Sequence, residues 1–114
     1  MMIVAERRFL AQFPGRQVNW RGRSGRFYAL APERLETFAL TTSGLYLLAR
    51  GAVPVWVGSA DDVINDAASR ARFRLALEAA DRAFLVDAQT DELSRMTVVW
   101  DLEGAEPVSG LSAA

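Results

Sequence analysis

Two short apolar runs separated by Gly51 and Ala52 constrain this chain more than any other feature. The first is Gly44-Leu-Tyr-Leu-Leu-Ala-Arg50 and the second is Val53-Pro-Val-Trp-Val-Gly58. Each is too short for an independent helix, is rich in residues that suit a pleated surface, and is bounded by glycine. A two-residue connection between such runs predicts an antiparallel hairpin. Pro54 cannot donate to a strand ladder, so it is expected at a strand start or facing a sheet edge.

The remaining elements are read around this hairpin. Met1 to Val4 suggests a short strand, and Ala5 to Phe13 a helical turn or two stopped by Pro14 and Gly15. Gln17 to Gly22 and Arg26 to Ala31 read as two strands joined around Arg23, Ser24 and Gly25. Pro32, followed by Glu33 and Glu36, predicts a short helix with Leu35, Phe38 and Ala39 on its apolar face. Ser59 and Asp61 both suit a cap for a helix through Val63 and Ile64, and Ser69 a cap for the next. In that second helix Phe73, Leu77 and Ala80, with Ala76 beside them, form the expected apolar face. Arg70, Arg72, Arg74 and Glu78 are expected on its solvated side. Ala83 to Asp87 is a compact strand. Thr90 would cap a last helix with Leu93, Met96, Val99 and Trp100 along one side, although Val98 to Trp100 also fits a strand. Gly104 to Ala114 reads as a tail, flexible from residue 108 onward.

The composition bounds the chemistry. A chain of 114 residues with 51% apolar content fits one domain with a real core. There is no cysteine and no histidine, which removes thiolate chemistry, disulfides, the commonest metal ligand and the usual proton shuttle. All 13 basic residues are arginine. Ser24 therefore has no histidine or lysine to activate it, and serine-type hydrolysis is not expected. Gly22-Arg-Ser-Gly25 lacks the glycine spacing and lysine of a phosphate loop. The net charge is −1, but it is unevenly spread. Residues 1–38 carry seven arginines against three glutamates, and residues 39–114 carry six arginines against eleven acids. No apolar run approaches the roughly 20 residues of a membrane span. Glu6, Arg7 and Arg8 interrupt any leader-like segment, so a cytoplasmic location is expected.

The hairpin and the elements C-terminal to it resemble the GIY-YIG nuclease fold over residues 43–107. Gly44-Leu45-Tyr46 stands for the first motif, and Trp56-Val57-Gly58, preceded by Pro54-Val55, for the second. Short helices, a third strand and a final helix come next, in the family's order. The resemblance implies an α/β (α+β) fold with a small antiparallel sheet flanked by helices. Residues 1–40, whose strand candidates are too apolar for a loose arm, are expected as a strand and helix extension packed on that core, either lengthening the sheet or covering one of its faces. In the family two motif tyrosines, a helix arginine and a metal-binding glutamate serve the cut. Here Tyr46 is kept, Trp56 replaces the second tyrosine, and counting from Gly58 puts Asp66 at the arginine position. Counting back from Pro107 puts Val98 near the glutamate position. An indole N–H donates but cannot act as a base, and an aspartate reverses the charge wanted beside phosphate.

The expected function is accordingly a non-catalytic binding or assembly module with no catalytic residues, no cofactor and no metal. Asp61, Asp62 and Asp66, and separately Asp101, Glu103 and Glu106, are read as solvated acids rather than magnesium ligands. A protein partner is favoured, including a second copy in a homodimer, and no membrane is expected. The first alternative is nucleic-acid binding through Arg16, Arg21, Arg23 and Arg26, with Trp20 among them as a stacking ring. The second is a weak divalent-metal nuclease using displaced arginines. The binding candidates are thus Tyr46, Trp56, Trp20, Arg21, Arg23 and Arg26.

Overall fold

The computed structural model describes residues 17–40, 44–86 and 92–108. Among the described residues six strands form one sheet: β1 (Val18–Arg21), β2 (Phe27–Glu33), β3 (Leu45–Arg50), β4 (Val53–Ser59), β5 (Arg82–Val86) and β6 (Glu106–Pro107). The helices are α1 (Ala60–Asn65), α2 (Ala67–Ala79) and α3 (Glu92–Glu103). The order across the sheet is β4-β3-β5-β2-β1-β6, and every pairing is antiparallel. The fold is therefore mixed α and β around an antiparallel sheet, as the sequence predicts. The stretches expected at Met1 to Val4 and Ala5 to Phe13, the cap at Thr90 and residues 109–114 lie outside the described residues. No helix among the described residues is long and apolar enough to cross a membrane.

β2 joins the two halves of the sheet. Residues Phe27 to Leu30 pair with β1, and Ala31 to Glu33 pair with β5. The first strands thus extend the sheet that holds the hairpin. They do so at the expense of the helix expected from Pro32: the strand runs through Glu33, and only a 3-10 turn follows at Leu35–Thr37. The gain of ladder bonds to β5 outweighs the local preference of proline for a helix start. Pro54 lies on β4, the strand at the sheet's end, next to a register shift opposite Leu48 and Ala49, where a missing N–H is tolerated.

The position of β3 explains its unbroken apolar run. Successive strand side chains point to opposite faces. Leu45, Leu47 and Ala49 enter a core with Trp20, Leu30, Val57, Phe84, Val98 and Leu102. Tyr46 and Leu48 enter a second core with Trp56, Ala76 and Ala83, against which Phe38 and Phe73 pack. α3 covers the first face and α2 the second. β3 is buried on both sides, so alternation disappears.

The helices keep one of the two caps expected for α1 and depart from the local reading in three other details. Ser59 caps α1 in a reciprocal capping box with Asp62, whereas Asp61 is exposed. Asp66, not Ser69, caps α2, with Ser69 as the residue whose N–H it accepts. On α2, Ala76 is buried but Leu77 is 37% exposed. Arg70 is not simply solvated: its guanidinium donates to the carbonyls of Val63 and Ile64 and ties α2 back to α1.

Candidate functional site

Tyr46 and Trp56 fall on the same face of the hairpin, since Tyr46 pairs with Gly58 and Trp56 with Leu48. Both are packed side chains. Tyr46 meets Phe38 edge-on at 5.4 Å, and Trp56 meets Phe73 at 4.8 Å. The Trp56 indole lies along its own strand over Gly58, where an added Cβ would stand 2.6 Å from Cζ2. Glycine at position 58 is thus the space for that ring. Asp66 does not join them. Its carboxylate is exposed and accepts from the Ser69 N–H at 3.0 Å and hydroxyl at 2.7 Å, which hold it below the usual carboxylate range.

A cleft of about 290 Å³ runs beside β4, lined by Pro54, Val55, Trp56 and Val57 together with Asp62, Ser69, Arg72 and Glu103. It continues into a second of about 250 Å³, which shares Asp62 and Glu103 and adds Arg95, Met96, Val99 and Trp100 of α3. The capping box positions the junction. Asp62 Oδ2 accepts from the Ser59 N–H at 3.0 Å and hydroxyl at 3.2 Å, and Ser59 Oγ in turn accepts from Arg95 at 2.8 Å. Arg72 donates to Ser69 Oγ at 3.2 Å. Charged groups of both signs therefore rim the cleft.

α3 presents a different face from the one expected. Val98 and Leu102 are buried, whereas Met96 is 60% and Trp100 52% exposed, with Val99 between. The Leu93 side chain lies outside the described residues. The apolar side inferred from spacing is thus largely the outer side, and it borders the cleft.

The arginines around the first turn are largely engaged within the chain. Arg21 pairs with Glu106 across β1 and β6. Arg23 Nε donates to the Trp100 carbonyl at 2.9 Å, and its guanidinium lies 4.9 Å from the centre of the Trp100 ring. Arg26 is exposed. Trp20 is fully buried and meets Phe84 edge-on at 5.6 Å, so it offers no ring for base stacking. Its strand position turns it inward, opposite in direction to Arg21. Among the described residues the indole N–H has no hydrogen-bond partner. Arg16 lies outside the described residues.

The most highly organised polar group is Asp101, which is 2% exposed. Its carboxylate accepts from the Ser24 N–H, the Ser24 hydroxyl and the Tyr28 hydroxyl, each at 2.7 Å. Burial by itself raises the carboxyl pKa. The Ser24 and Tyr28 hydrogen bonds, with the nearby Arg26 charge, more than offset it and leave the group below its ordinary value. Burial and the Asp101 contact raise the Tyr28 phenol. Asp101 is thus neither a solvated acid nor a cleft residue. It ties the first turn to α3, and the Arg23 N–H adds a bond to its carbonyl at 3.1 Å. By sequence Asp101 falls with Glu103 and Glu106 among the solvated acids, and its partners Ser24 and Tyr28 lie far away in the chain, so nothing local marks it.

The metal implied by the GIY-YIG resemblance can be tested on these residues. Asp62 and Glu103 are the carboxylates of the cleft, and Asp62 Oδ2 is already taken up by Ser59. Among the described residues no group of three or more metal-ligating side chains comes together. The site does not fit a divalent ion. Compared with protein-family models, curated proteins and solved structures, the chain gives no significant match.

Proposed function

We propose that this chain is a non-catalytic binding or assembly module on a GIY-YIG-like core, and that its partner is a protein. The observation that supports this most is the stripe beside the cleft formed by exposed Met96 and Trp100, with half-buried Val99 between them. Residues three and four apart lie on one helix face. Tryptophan and methionine are enriched where proteins meet, and a tryptophan rimmed by charged groups suits an anchor. Metal-dependent nuclease activity ranks lower. Tyr46 is packed in a core, Trp56 has no basic atom, and Glu103 gathers no set of metal ligands among the described residues. Nucleic-acid binding ranks lower because Arg21 and Arg23 are engaged and Trp20 is buried.

The test places a photo-crosslinking phenylalanine derivative at Met96 and, separately, at exposed Arg34, in the full chain inside its native cells. Discrete protein adducts at position 96 and none at position 34 are expected. No adduct at position 96 would overturn the reading. Two controls separate the alternatives. DNA and RNA incubated with magnesium or manganese should stay intact. Labelled nucleic acid at about 150 mM salt should show no sub-micromolar anisotropy change.

A further inference from the structure

We propose that the cleft beside β4 seats one extended segment of the partner protein, added to the sheet as a further strand, with acidic residues toward Arg72 and basic residues toward Glu103. This rests on the protein-binding reading above and specifies the partner's chemistry.

Four consecutive residues, Pro54 to Val57, line the cleft. Neighbouring strand residues point to opposite faces, so a cavity touched by all four runs along the strand's edge and not over one face. β4 stands at the end of the sheet, and β3 is its one strand neighbour among the described residues. The cleft's two walls come from the two faces. Trp56 belongs to the core under α2, which supplies Ser69 and Arg72. Val57 belongs to the core under α3, which supplies Glu103. A strand laid here would bond through its backbone and send alternate side chains to the two walls. Those on the Trp56 side meet the Arg72 guanidinium, and those on the Val57 side meet the Glu103 carboxylate. Arg72 and Glu103 put opposite charges on the two walls, with Asp62, its Oδ2 held by Ser59, at their junction, and so select a segment whose charges alternate.

The same geometry disfavours a second copy as occupant. Pro54 and the adjacent register shift interrupt β4, and such features blunt edges against self-pairing. Pairing β4 with its own copy would put two prolines and two irregularities into one ladder. A short foreign segment needs only the stretch around Val55 to Val57.

The probe is a displayed library of random decapeptides, selected on the full chain and on Arg72→Glu, with both folds checked by circular dichroism. Parent binders should carry an acidic residue an odd number of positions from a basic one. Arg72→Glu should replace the acidic preference with a basic one and weaken parent-selected peptides at least tenfold. Methylating each peptide nitrogen in turn should abolish binding at every second position. Glu103→Arg, a second exposed change, should invert the basic preference instead. Absence of binders, binders indifferent to both variants, or loss at helical spacing would each overturn strand addition. A parent dimer dissolved by Arg72→Glu would assign the cleft to a second copy and overturn it too. Failure here with crosslinks still forming at position 96 removes the strand mode alone. Failure of both removes the protein-binding reading.

Discussion

The Asp101 carboxylate occupies the space that a side chain on Gly22 would need: a Cβ there would stand 2.5 Å from its Cγ. The first turn and α3 meet at that point. Gly22→Ala is therefore expected to destabilise the fold by about 1–3 kcal/mol, the range for forcing a methyl into a packed site. Urea unfolding at pH 7 measures it. A loss below about 0.5 kcal/mol would show that Asp101 moves aside freely.

Asp101→Asn tests the same junction from the other side. The amide keeps one acceptor oxygen but turns an N–H₂ toward the donors of Ser24 and Tyr28. A loss of about 1–3 kcal/mol is expected, because buried donors lose their acceptor. The pH dependence has a definite sign. The folded-state pKa of Asp101 is depressed, so its stabilisation is fully present above the unfolded value near about 3.9. It is lost as pH falls through the lower folded value. The stability gap between parent and Asp101→Asn should shrink below about pH 4. A gap that stays constant from about pH 6 to pH 2 would contradict the hydrogen-bonded carboxylate.

Trp56 and Gly58 should prove energetically coupled. Gly58→Ala pushes a methyl into the indole ring and is expected to cost about 1–3 kcal/mol. In a Trp56→Leu background the ring is gone and the cost should fall. A double-mutant cycle should give a coupling energy of at least about 0.5 kcal/mol. Additive losses would mean that the ring does not lie over Gly58.

Trp20 and Trp100 should separate sharply. Trp20 is fully buried, so Trp20→Ala is expected to cost about 3–5 kcal/mol. Trp100 is half exposed and stacks with Arg23, so Trp100→Ala should cost no more than about 1 kcal/mol. The same change should remove the crosslinks formed at position 96. Equal losses of stability would show Trp100 to be a core residue and not an anchor.

Local pattern marked the two hairpins and β5, whereas β6 lies in the stretch read as a tail and forms a strand only through its pairing with β1. Leu45 to Arg50 and Val53 to Ser59 form the predicted hairpin, and Val18 to Arg21 with Phe27 to Glu33 form the other. Short apolar runs bounded by glycine have few other solutions. Pro54 fell at an edge for the reason its missing N–H requires. The cap of α1 was also legible, because Ser59 and Asp62 are close enough to satisfy each other.

Tertiary packing decided the rest. In α3, Met96, Val98, Val99, Trp100 and Leu102 place apolar groups on nearly every side, so spacing alone cannot choose the buried face. The sheet chose Val98 and Leu102 because Trp20, Leu30 and Phe84 stand opposite them. That choice turned Met96 and Trp100 outward. Asp101 became a buried ion because Ser24 and Tyr28, 77 and 73 residues away in the chain, bring their donors to it. Trp20 and Arg21 parted because neighbouring strand residues face opposite ways, and only the sheet defines which way is inside. The cleft wall joins Arg72 and Glu103 from two helices on opposite faces of β4. The sequence carries the residues, but their meeting depends on long-range strand order.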